Sequence, residues 1–72
     1  MTIIVNDGRN RYVFSIDTVS VHNNLTFCKI NGSPKLFPVL MDLVKRKIIH
    51  SFEPKGDVTS VTFHTQYVEE IL

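Results

Sequence analysis

A chain of 72 residues, 43% apolar and 21% charged, has room for one hydrophobic core and no second domain, so residues 1–72 are read as a single globular unit. Eight basic against seven acidic residues leave a formal charge of +1, too little to draw the molecule onto nucleic acid or an anionic membrane by field alone. The lone cysteine, Cys28, cannot close an internal disulfide, which removes the usual staple of small secreted domains and favours a reducing, cytoplasmic setting.

The first strand is expected over residues 2–5, Thr-Ile-Ile-Val, a β-branched run. It has no basic region before it and its apolar stretch stops at Val5, so neither signal peptide nor membrane anchor is expected there. No segment approaches the roughly 20 apolar residues of a spanning helix. Asn6-Asp7-Gly8 follows as a turn, because Asp-Gly tolerates the positive φ of a tight hairpin. Across residues 11–17 Tyr12, Phe14 and Ile16 alternate with Arg11, Ser15 and Asp17, the period of a strand with one buried face. The apolar positions then shift to Val19 and Val21, a slip of one residue that a bulge near Asp17-Thr18 explains.

His22-Asn23-Asn24 interrupts the pattern and a third strand resumes over residues 25–30. The sequon Asn24-Leu25-Thr26 is read as the end of that turn and not as a glycosylation site. Asn31-Gly32-Ser33-Pro34 stops the strand. Phe37, Leu40, Met41, Val44 and Ile48 then fall on one helical stripe, broadened by Leu36 and Leu43, and the spacing predicts a helix over residues 38–49. Pro38 suits its first turn, and Lys45, Arg46 and Lys47 suit its C-terminal end. Residues 52–56 read as a loop, residues 58–64 as a last strand, and residues 66–72 as either a helical turn or more strand. The expected fold is a small two-layer α+β domain in the order β-β-β-α-β, a mainly antiparallel sheet with one amphipathic helix on one face.

Chemistry-bearing residues are sparse. Cys28 with His22, His50 or His64 would make a thiolate–imidazole pair, but Cys28 lies mid-strand without a helix N-terminus or glycine elbow, as a core cysteine does. The histidines are separated by 28 and 14 positions, which matches no local metal motif, so no metal or other cofactor is expected. Most of the acidic residues, Asp7, Asp17, Glu53 and Asp57 among them, sit in turns or strand ends, and Glu69-Glu70 reads as a solvated tail. Asp7-Gly8-Arg9 and Asn31-Gly32-Ser33 each carry one glycine and read as hairpin turns, not phosphate cradles.

The residues therefore point away from an enzyme and toward a protein–protein interaction module, an accessory, regulatory or inhibitory protein acting by surface binding. Tyr12 and Tyr67 are its candidate aromatic anchors, at an exposed edge of the first hairpin or of the last strand. A core of this size rarely supplies more than about 3–5 kcal/mol, which makes a homodimer a natural way to gain stability. The alternative is a small nucleic-acid-binding domain using Lys45, Arg46 and Lys47, joined by Lys35, Lys55, Arg9 and Arg11 if they converge and by Tyr12 or Phe52 for stacking.

Overall fold

The computed structural model describes residues 1–31 and 34–72. Among them are six strands, β1 (Thr2–Asn6), β2 (Arg11–His22), β3 (Leu25–Asn31), β4 (Ile49–Lys55), β5 (Val58–His64) and β6 (Val68–Ile71), with one helix, α1 (Phe37–Lys45), between β3 and β4. Every pairing is antiparallel and the strands lie in the order β4-β5-β3-β2-β1-β6. The α+β class and the mainly antiparallel sheet are as expected. The element order is corrected to β-β-β-α-β-β-β, since residues expected as loop form β4 and the tail forms β6.

The first two hairpins follow their turn chemistry. At the β1–β2 turn Gly8 has φ +95°, the Asn6 side chain accepts its N–H at 2.8 Å, and Asp7 Oδ1 accepts the N–H groups of Arg9 and Asn10 at 2.8 and 2.7 Å. The β2–β3 turn places Asn23 and Asn24 at φ +50° and +64°, the left-handed pair that a two-residue hairpin of this hand requires. The expected bulge is present: the β2–β3 register shifts between Ile16 and Thr18, leaving Asp17 as the extra residue. The Asn31-Gly32-Ser33-Pro34 stop lies partly outside the described residues. Asn31 ends β3, and Pro34 opens a short 3-10 turn that leads into α1.

The bulge divides β2 between two neighbours. Residues 11–15 pair with β1, and residues 16–22 pair with β3. The consequence is visible in the core. Phe63 lies in register with Thr26, and Thr26 with Val21, which stands seven positions beyond Phe14 along β2. In a flat sheet that offset alone is about 20 Å. The Phe14 and Phe63 rings are instead 5.9 Å apart, so the sheet rolls up and its two ends share one core. Helix α1 packs beside β4 and adds Leu40 and Leu43, both fully buried, to the same cluster.

The helix is shorter than its periodicity predicts, ending at Lys45 and not at residue 49. Lys47 takes φ +61°, its N–H bonds the Val44 carbonyl at 3.0 Å and the Ile48 N–H reaches back to the Leu43 carbonyl at 2.9 Å. These two bonds, with Ile48 and Leu43 buried together, form a Schellman cap. A lysine occupies the position where glycine is usual, so the stop carried no sequence signal, and Ile48 kept the helical phase for reasons of burial alone.

Strand β4 was hidden by Pro54. It is an edge strand paired only with β5, where a missing N–H costs nothing, and it turns into β5 through Gly56 at φ +65°. Strand β6 is short, and its identity comes from its partner. Thr2 and Leu72 exchange backbone hydrogen bonds of 2.7 and 2.8 Å, and Arg11 holds the Glu69 carboxylate through two bonds of 3.1 and 2.8 Å. Glu69 and Glu70 are both exposed, and Glu69 pairs with Arg11 at the surface.

Candidate functional site

The strand period divides β3 and β5 between core and solvent. Thr26, Cys28 and Ile30, with Thr59, Val61 and Phe63, point inward and are buried. Phe27 and Lys29 point outward, and cross-strand register aligns Ser20, Phe27 and Thr62 in one row and Thr18, Lys29 and Ser60 in the next. An open cleft of about 240 Å³ runs over these rows. Phe27 is 41% exposed at its centre, an aromatic ring set among hydroxyl-bearing side chains.

Phe27 was not singled out by the sequence, because Leu25, Phe27 and Cys28, Ile30 are all apolar and either phase of β3 fits the pattern. The tertiary fold decides the phase by burying Thr26, whose Oγ1 lies 2.8 Å from the Thr65 hydroxyl.

The two tyrosines proposed as anchors are half-buried and packed against the core. The Tyr12 hydroxyl accepts a hydrogen bond of 2.8 Å from Arg46 Nη2, and Tyr67 lies in the 3-10 turn before β6. β1 and β5 each have a strand on both sides, whereas β2 pairs with β1 over residues 11–15 and with β3 over residues 16–22, and the terminal strands of the order are β4 and β6.

The three basic residues at the end of α1, Lys45, Arg46 and Lys47, are all exposed, and the Arg46 guanidinium is engaged by three side chains. Its Nη1 lies 2.6 Å from Asp7 Oδ2 and its Nε 3.1 Å from Asp42 Oδ2, in addition to the Tyr12 bond. The Asp7 side chain is only 1% exposed. Its carboxyl is lowered to about 2, first by the backbone N–H groups of Asn10 and Arg9 and then by Arg46, whose own affinity for its proton is raised by Asp7. This network joins the β1–β2 turn to the C-terminal end of the helix. It also takes the N–H groups of residues 8–10, so Asp7-Gly8-Arg9 has no donors left to cradle a phosphate.

Cys28 is buried, and burial pushes its thiol up to about 11. At neutral pH it is a protonated core side chain without the thiolate that nucleophilic attack needs. The histidines behave otherwise. His50 and His64 come together on adjacent strands with ring centroids 5.5 Å apart and planes at 86°, while His22 is exposed on β2, one strand beyond Leu25, which pairs with His64. Among the described residues no group of three or more His, Cys, Asp or Glu side chains is placed to hold a metal ion, and no helix is long and apolar enough to cross a membrane.

No family model matches the chain, and neither a curated protein nor a solved structure matches it at a significant level.

Proposed function

We propose that the chain is a small non-enzymatic interaction module that covers the surface of another protein in the cytoplasm, as an accessory, regulatory or inhibitory partner, with Phe27 as its anchor. The observation that carries this reading is the outer face of β2, β3 and β5, where one exposed aromatic ring is surrounded by Ser20, Thr62, Thr18, Ser60 and Lys29. A large apolar side chain inside a polar rim is the anatomy of a protein interface, and a residue that acts as the hot spot of one contributes about 2 kcal/mol or more, thirtyfold in affinity. Tyr12 and Tyr67 take the supporting part of positioning the hairpin and tail beneath this face. The protonated, buried Cys28 suits a reducing compartment.

The nucleic-acid reading ranks second. With Arg46 committed to Asp7, Asp42 and Tyr12, it has to rest on Lys45 and Lys47.

The test is affinity capture from a host-cell extract followed by reconstitution with the purified captured protein, using wild type, Phe27→Ala and Val13→Ser. Val13 is 61% exposed on the β1–β2 part of the sheet and serves as the apolar control. Wild type and V13S should bind the purified partner equally while F27A weakens at least tenfold. Equal binding by all three would remove Phe27 from the interface, and salt-sensitive retention of oligonucleotide that disappears in a K45A/K47A variant would favour the second reading.

A further inference from the structure

We propose that His50 and His64 form a two-histidine site for a divalent transition-metal ion of the Zn²⁺, Cu²⁺ and Ni²⁺ group, on the side of the β4–β5 hairpin that faces solvent. The proposal stands independently of the interaction surface above.

The first argument is the span. With metal–nitrogen bonds of about 2.0–2.1 Å, two imidazoles meeting one ion at angles between tetrahedral and trigonal bring their ring centroids about 5.2–5.5 Å apart. The observed separation is 5.5 Å. The rings now stand edge to face, so a shared ion requires His50, which is exposed, to turn about its side-chain bonds.

The second argument is how the two backbone positions are held. The His64 N–H donates to the Ile48 carbonyl at 3.1 Å, and Ile49 lies in register with Phe63, so β4 and β5 are locked immediately beside both histidines. The register then shifts between Ile49 and Ser51, which makes His50 the extra residue of a bulge. Ile49 and Phe63 both point into the core, so strand alternation turns the next residue of each strand, His50 and His64, to the solvent side.

The donor set defines the ion class. Two neutral imidazole nitrogens without a thiolate or carboxylate suit zinc, copper and nickel, and offer nothing to the oxygen-seeking calcium or magnesium. Cys28 is buried among core residues and does not contribute. With two protein ligands the remaining coordination positions are open to water or to a donor from a bound molecule. Binding weakens on acidification, since protons compete for the same nitrogen lone pairs.

Calorimetric titration of the untagged protein with Zn²⁺, paralleled by nitrogen-detected NMR of the histidine rings, tests the assignment. One ion per chain should bind, the ring signals of His50 and His64 should shift together, and Mg²⁺ should leave both unchanged. His50→Ala, at an exposed edge position where folding is insensitive, should weaken Zn²⁺ at least tenfold, as should His64→Gln, while His22→Ala should stay within twofold. Undiminished binding in His50→Ala, a leading response at His22, or no binding of Zn²⁺ or Cu²⁺ at millimolar concentration would each overturn the site.

Discussion

Asp7 shows how one turn residue acquires a structural role that its sequence position understates. Its carboxylate accepts two backbone N–H bonds within the turn and an ion pair from a helix that begins thirty positions later. Because its folded value, about 2, lies below the ordinary 3.8, the stabilisation is fully present above about pH 4 and is lost as pH falls through about 2. Asp7→Asn keeps an acceptor for the turn but removes the charge facing Arg46. Thermal unfolding followed between pH 2 and 6 should show the wild-type midpoint falling toward that of the variant at the acid end and exceeding it at pH 6. Parallel curves would mean that the carboxylate is not coupled to folding. Arg46 is the counterpart, a cation whose apparent place in a basic run is set aside by the partners that hold it.

At the scale of the element, the C-terminus of α1 provides the sharpest case. The Schellman cap places Lys47 at φ +61°, a conformation that costs a side-chain-bearing residue about 1–2 kcal/mol relative to glycine. Lys47→Gly should therefore raise stability by about 1 kcal/mol in urea unfolding, against the general expectation that glycine weakens a helix. A loss of stability would show that the lysine contributes more through its contacts than its backbone costs. The same substitution removes one of the two lysines on which the nucleic-acid reading rests, so a stabilised variant with unchanged oligonucleotide retention would also weigh against that reading. The two asparagines of the β2–β3 turn meet a similar demand at lower cost, since asparagine enters the left-handed region more readily than lysine.

For the molecule as a whole, the roll of the sheet makes Phe63 a meeting point. It is fully buried and contacts Phe14 from the far end of β2, so it links strands that sequence and pairing order would keep apart. Phe63→Ala should cost about 3–5 kcal/mol. A chain of this size has about 4–11 kcal/mol in all, so circular dichroism should show the variant largely unfolded or with a greatly lowered urea midpoint. Val13→Ala, on the exposed side of the same strand as Phe14, should change stability by less than about 0.5 kcal/mol. A small effect at Phe63 would mean that the two halves of the sheet do not depend on a common core.

Local chemistry made a good part of this legible in the sequence. Asp7-Gly8 and Asn23-Asn24 specify turns because few residues tolerate their dihedral angles, the slip from Ile16 to Val19 marks the bulge because side chains alternate strictly along a strand, and Pro38 opens the helix because its missing N–H is harmless there. The tertiary structure decided what depends on distant partners. Pro54 sits in a strand because β4 lies at the sheet edge with β5 as its hydrogen-bonded partner, residues 68–71 are extended because β1 pairs with them, and the outward phase of Phe27 follows from the burial of Thr26. His50 and His64, 14 positions apart, became neighbours through the pairing of β4 with β5. In each case the deciding energy is a hydrogen bond or a packing contact between segments far apart in the chain, which no local preference encodes.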